Sequence, residues 1–361
     1  MKIFLYPLRR FATAAMVALV LASLAVPNAP AAIVYDLVTV GNAGNAADTT
    51  TYGGVAYDYQ IGKYDVTIGQ YTEFLNAVAV TDTYSLYNTN MGTNLNVAGI
   101  SRAGSSGSYN YSVINNGGDS SNRPITFVSW FDAARFANWM ANGQPTGAQD
   151  STTTENGAYN VNGATSGSAP AKNVTNPNTS AAPTSYIPTE NEWYKAAYYS
   201  PEKGGVGVPG YYAYATQSDS DPGNIIGSGA NQANYNNGLY SVTQSSSYSS
   251  SQNYLTDVGA FTNSESFYGT FDQSGNVYQW NDLDGLAASG SSRGVRGGGW
   301  DNSAFSLSSS GGFTYDPSDE GSGIGFRLAS PVAVPEPSTW VMGLAGIACG
   351  GWQMYRRRRA R

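Results

Sequence analysis

The sequence contains no histidine, and its single cysteine, Cys349, lies in a C-terminal apolar segment beside Arg356, Arg357, Arg358 and Arg359. The body of the chain therefore lacks imidazole, the commonest general acid/base, and any thiol nucleophile. Serine and cysteine triads, histidine or cysteine zinc sites and two-histidine iron sites all need those side chains and are excluded. Charge is also scarce, at 12% of 361 residues, with a net charge of −7. Three of the 18 lysines and arginines lie before residue 32 and five after residue 334, whereas only Glu336 of the 25 acids lies in those ends. The body thus sets ten basic against 24 acidic groups, a surface that repels polyanions and excludes nucleic acid as a partner. With no cysteine in the body, no disulfide can brace it, so packing, hydrogen bonds or a bound metal must.

What is present is glycine (43), tyrosine (27) and tryptophan (7) within a 41% hydrophobic chain, enough apolar material for one large core or two modest ones. The two ends are addresses. Lys2, Arg9 and Arg10, the apolar run Phe11 to Val26, and Ala29-Pro30-Ala31 have the order of a signal peptide cleaved before Ala32. An uncleaved N-terminal anchor is the alternative reading. At the other end Val334-Pro335-Glu336-Pro337 leads into a moderately apolar stretch, about 339–355, closed by the arginine block. This order resembles the bacterial PEP-CTERM sorting signal, which implies exosortase and the export machinery as partners and transient insertion in the inner membrane. Delivery to the cell surface or extracellular matrix would follow. A stretch of that length just spans a bilayer with its arginines cytoplasmic, so a plain membrane anchor is the alternative.

Between the ends, Thr67 is followed three residues later by Gln70, Ser129 by Asp132 and Thr189 by Glu192. Each is capping-box spacing and predicts helices over 67–79, 129–141 and 189–199. In the first, Ile68, Tyr71, Leu75 and Val78 share a core-facing side. Strands are expected within IVYDLVTV, VAYDYQIGKYDV and IGFRLA. Residues 141–186 are polar and of low complexity, which reads as a long surface excursion with little to bury, broken by one short strand at Ala158 to Val161. A Ser/Gln/Tyr-rich loop runs from Ser241 to Asn253.

A motif series accompanies these elements: KYDVTIGQYTEFLNAV (63–78), RPITFVSWFDAARFANWM (123–140), IPTENEWYKAAYY (187–199), ANYNNG (233–238), VGAFTNSESFYGTFDQSGNVYQW (258–280), RGVRGGGW (293–300) and GFRLA (325–329). Seven blocks in this order closely resemble the sulfatase-modifying factor or formylglycine-generating enzyme domain family. The resemblance implies an α+β, loop-rich, C-type lectin-like fold in a single domain over 32–332, between the signal peptide (1–31) and the sorting segment (333–361). Read as structure, Trp130, Trp193, Trp280 and Trp300 make a shared aromatic core, Gly275, Gly297, Gly298 and Gly325 permit turns or close approach, and Asp132 and Glu192 cap helices. Arg296 and Arg327 make buried ion pairs or backbone contacts.

The family's enzymes oxidise a cysteine with oxygen and copper held by two cysteines after the R-G-G-S-W block. Counted from Trp300, those positions are Asn302 and Leu307, so the resemblance implies no copper site. The related three-histidine iron site is equally impossible without histidine. The family also binds structural calcium. Its ligand positions correspond to Asp272, Gly275, Val277 and Gln279, and a second set begins at Asn234 and Tyr235, with the carboxylate replaced near Ser250. A hydrogen-bonded turn with no ion is the alternative there. The expected function is a catalytically inactive, exported protein that binds an exopolysaccharide or protein ligand. The alternatives are a metal-dependent oxidoreductase using Asp272, Asp301, Asp316, Asp319 and Glu320, and a purely structural matrix component.

Overall fold

All three capping boxes form. Thr67, Ser129 and Thr189 each accept from the backbone N–H three residues on, and Gln70, Asp132 and Glu192 return the bond to the cap N–H, at 2.8–3.2 Å. The computed structural model describes residues 32–284 and 292–332. The expected leader (1–31) and sorting segment (333–361) lie outside those residues. No described helix is long and apolar enough to cross a membrane.

In chain order the elements begin β1 (Leu37–Val40), β2 (Tyr59–Gly62), α1 (Ile68–Val78), α2 (Asn90–Thr93), β3 (Ile100–Ala103) and β4 (Asn110–Val113). They continue with α3 (Trp130–Ala141), α4 (Glu190–Tyr198), β5 (Tyr199–Ser200), β6 (Gly210–Tyr211), β7 (Gly227–Ala230) and β8 (Phe261–Asn263). The last are β9 (Tyr278–Asn281), β10 (Arg293–Arg296), α5 (Ala304–Leu307), β11 (Phe313–Tyr315), β12 (Ile324–Gly325) and β13 (Ala329–Pro331). Small sheets join them: β1-β2-β13, β11-β10-β9-β12, and the pairs β3-β4, β5-β6 and β7-β8. The three expected strand regions contain β1, β2 and β12, with β13 starting at the last residue of IGFRLA.

The main core forms where α1 and α3 meet. Phe74 lies 5.2 Å from both Phe136 and Trp139, and Phe136 lies 5.4 Å from Phe326 of the GFR block, all by ring centroids. Trp130, Trp280 and Trp300 belong to this core. Trp193 does not: with Tyr194, Ala197, Tyr198 and Ala215 it builds a separate cluster. Its indole N–H donates to Gln279 Oε1 at 2.7 Å.

The polar stretch 141–186 also differs from expectation. Thr154, Ala158, Tyr159 and Asn176 are wholly buried, and Glu155 grips the buried Arg135 of α3 at 2.7 and 3.0 Å. Asn138 donates to the carbonyls of Thr154 and Tyr159, and Asn142 to those of Thr153 and Asn156. Asn138 of α3 and its C-cap Asn142 thus supply the donors that a sheet neighbour would otherwise provide, so the loop is held without strands. In place of the strand at Ala158 to Val161 there is a single bridge, Tyr159 to Lys172.

Candidate functional site

The six residues that the resemblance implies as cation ligands come together. Asn234 and Gly275 form a parallel bridge, and Gly275, at φ +91°, leaves no room for a side chain because a Cβ would lie 2.3 Å from the Asn234 carbonyl oxygen. Several of their oxygens, however, accept from protein donors. Gln279 Oε1 accepts from Arg327 Nε at 2.6 Å and Trp193 Nε1 at 2.7 Å, which fixes the amide orientation. Its Nε2 donates to the Asp272 carbonyl at 2.7 Å, so a cation beside that loop would meet an N–H group. Asp272 Oδ2 accepts from Gly259 N at 2.7 Å, and the Gly275 carbonyl accepts from Val277 N at 2.9 Å. Burial pushes the Asp272 carboxyl up to about 6, against the pull of the Gly259 hydrogen bond and Arg327.

At the second set, Asn234 Nδ2 donates to the Tyr254 carbonyl and Asn276 Oδ1, at 2.9 and 3.0 Å. The Tyr235 carbonyl accepts from Asn224 Nδ2 and Ser241 Oγ, both at 3.2 Å. Residues 241–253 contain no carboxylate, and Ser250 is exposed. Neither set fits a hard cation, which needs several free oxygens. We therefore expect the melting curve of the protein to be the same in chelator and in millimolar calcium. A calcium-dependent rise, the signature of a ligand bound only by the folded state, would show that these side chains rearrange around an ion.

The positions that correspond to the family's copper cysteines are filled by structural contacts. Asn302 Oδ1 accepts from Gly299 N at 2.8 Å. Leu307 is 0% exposed, packed with Tyr214, Ala233 and Tyr235, and fills the space above Gly298, where a Cβ would lie 2.6 Å from its Cδ1. The carboxylates of the alternative metal set do not converge. Asp316 and Asp319 close a local turn, Asn88 donates to Glu320, and Asp272 is buried behind Gly259. Among the described residues no three His, Cys, Asp or Glu side chains are placed to hold a metal.

Arg327 is wholly buried and donates to Asp65 Oδ1 (3.1 Å), the Gly62 carbonyl (2.9 Å), the Phe271 carbonyl (2.7 Å) and Gln279. Arg296 is 3% exposed, paired through Nε and Nη2 to Glu190 Oε1 at 2.7 Å and set beside the neighbouring rings of Tyr52 and Tyr194, 4.7 and 5.0 Å from their centroids. Both arginines therefore play the structural parts expected of them.

A cleft that the sequence did not announce opens above Arg296. Its volume is about 530 Å³, and Tyr52, Glu190, Arg296, Phe313, Thr314 and Tyr315 line it. The signal available in the sequence was slight: only the β10–β11 pairing, Val295 to Phe313 and Arg293 to Tyr315, carries the edge strand to the arginine, with Gly312 against its guanidinium.

This architecture of capped helices, small sheets, the 272–279 turn and the glycine-rich 296–300 loop is that of the formylglycine-generating type. The chain belongs to the sulfatase-modifying factor enzyme 1-like domain family, whose model matches residues 38–332. Among solved structures it is similar to CarF, at 21% identity over 83% of this chain and 99% of that one, with a TM-score of 0.46. It is also similar to Treponema denticola variable protein 1, at 19% identity over 82% of this chain and 95% of that one, TM-score 0.47. PvdO from Pseudomonas aeruginosa is similar at 17% identity over 82% and 92%, TM-score 0.41. No curated protein matches the sequence significantly.

Proposed function

We propose that this protein uses the formylglycine-generating-enzyme-like domain for binding at the cell surface or in the extracellular matrix, without oxygen chemistry. The observation that carries the reading is at Leu307, where a buried leucine occupies the position that a copper-binding thiolate would need. Nothing else in the body could replace it, since the body has neither thiol nor imidazole. Surface delivery is supported by the two end segments: the charged and apolar leader, and the Pro335-Glu336-Pro337 motif before an apolar stretch and an arginine block. Exosortase and the export machinery are the partners this reading requires, and the exposed ligand is an exopolysaccharide or a protein.

The test is to incubate the purified protein with a cysteine-containing sulfatase peptide, oxygen and added copper. We expect no aldehyde above a no-protein control and no oxygen uptake. Aldehyde formation, or stoichiometric redox metal with oxygen consumption, would sink the reading in favour of an oxidoreductase.

A further inference from the structure

We propose that a second cleft, beside Pro331, is the docking site for the chain's own Pro335-Glu336-Pro337 segment, so that the domain covers the motif before its sorting segment. This cleft shares no lining residue with the one over Arg296; it holds about 280 Å³ and has Tyr57, Lys172, Val174, Pro183, Tyr186 and Pro331 among its walls. Tyr57 is 49% exposed, yet its hydroxyl donates to the buried Glu192 Oε1 at 3.0 Å, the same oxygen that takes the Tyr186 hydroxyl at 2.8 Å. A half-exposed ring outside the hydrophobic core is thereby fixed as a flat apolar wall. Walls of tyrosine and proline suit an extended, proline-containing peptide.

The cleft also presents a positive charge without a counter-ion. Lys172 is held by its backbone bridge to Tyr159, and its ammonium stands 3.4 Å from the centre of the Tyr186 ring. Among the described residues no carboxylate is paired with it. The neighbouring acids are engaged elsewhere: Asp282 with Arg293 at 2.9 Å, Glu192 with the two tyrosines and Thr189, and Asp58, which lines the same cleft, with Ala43 N at 3.1 Å. A carboxylate set between prolines matches both the charge and the walls, and Glu336 is the only acid after residue 332. β13 ends at Pro331 in the wall of the cleft, and Glu336 follows five residues later, within about 17 Å of it even at full extension. A Pro-x-Pro sequence loses little freedom on docking, because each proline fixes φ and keeps the residue before it extended. Attachment to the domain raises the local concentration of the segment further. An occupied cleft keeps the motif from any enzyme that reads it; that consequence rests on the sorting role proposed above, whereas the docking does not.

The experiment is cysteine cross-linking of the detergent-purified full chain, in a Cys349→Ser background with Ser338→Cys placed beside the motif. Paired with Val174→Cys, which is at the cleft and 89% exposed, it should form a disulfide within one chain under mild oxidation. The rate should exceed by about tenfold that of the pair with Val206→Cys, which is 93% exposed on the loop between β5 and β6. Lys172→Met and Glu336→Gln should each slow the reaction roughly three- to tenfold, and the exchange of Lys172→Glu with Glu336→Lys should restore it. Melting curves of the Lys172 variants separate loss of the charge from loss of the fold. Equal rates at 174 and 206, or a rate at 174 that neither charge-removing variant slows, would overturn the docking. Disulfides that join two chains in place of one would assign the cleft to a second copy and overturn docking within the chain. Cleavage of the tail by exosortase is read in cells, so the sorting role and the docking fail separately.

Discussion

Arg327→Met should destabilise the protein by about 3–5 kcal/mol, the usual cost of breaking a buried ion pair from one side. Arg327 and Asp65 are both wholly buried, and Asp65 Oδ2 already has no hydrogen-bond partner. Burial drives the Asp65 carboxyl well above its ordinary range while Arg327 pulls it back. Without the guanidinium, Asp65 would keep its desolvation cost and lose its counter-charge, and the carbonyls of Gly62 and Phe271 would each lose a donor. Gln279 Oε1 would keep only Trp193 as a donor. Thermal unfolding should show a fall on the order of 10 °C for a domain of this size. The double variant Asp65→Asn/Arg327→Met should recover part of the loss, because the unpaired charge is gone. A single variant as stable as the wild type would mean that water reaches this network in solution.

The second large effect is expected in the low-complexity stretch. Glu155→Ala should cost about 3–5 kcal/mol, because Arg135 is 0% exposed and Glu155 supplies both oxygens that face its Nε and Nη2. The same carboxylate also accepts from Gly163 N at 2.6 Å and Thr154 Oγ1 at 2.9 Å, so the loop loses its own internal ties. Asp219→Ala is the informative comparison. Asp219 pairs with Lys203 at 2.9 Å but is 58% exposed, so its removal should cost less than about 1 kcal/mol. Chemical denaturation of the two variants reads the difference directly. Equal midpoints would show that residues 141–186 fold over the surface without being part of the core.

These two networks mark where the sequence was legible. Arg327 stands in a recognisable block, and its burial could be read from the GFR motif. Glu155 stands among Thr, Asn and Gly, where periodicity is absent, and nothing local marks it as buried. The three helices were readable because capping chemistry is local: Thr67 and Gln70 find each other across one turn whatever the rest of the chain does. The faces of α1 were readable for the same reason, although Phe74 and Thr72 are buried as well. The short strands were readable as regions and not as bounds, since β12 and β5 are two residues long and exist only by virtue of their partners.

The cation loops show the opposite limit. Their residue types follow the family pattern, and the structure does join Gln279 to Asp272 and Asn234 to Gly275. Which atoms face which was decided elsewhere. Gln279 turns its oxygen to Trp193 and Arg327 because those donors arrive from α4 and from the segment before β13, far away in sequence. An amide has two chemically different ends, and only the positions of its partners decide which end faces the loop.

By itself the sequence determined the absence of thiolate and imidazole chemistry in the body, the three helix starts and the order of the family blocks, because composition and local hydrogen bonding do not depend on tertiary contacts. The tertiary structure alone decided the burial of Thr154, Glu155, Tyr159 and Asn176 within the polar stretch 141–186, the separation of Trp193 from the main core, the closure of the cation loops by side-chain amides and the cleft over Arg296. Each of those depends on residues that are far apart in the chain, and their meeting is an outcome of packing.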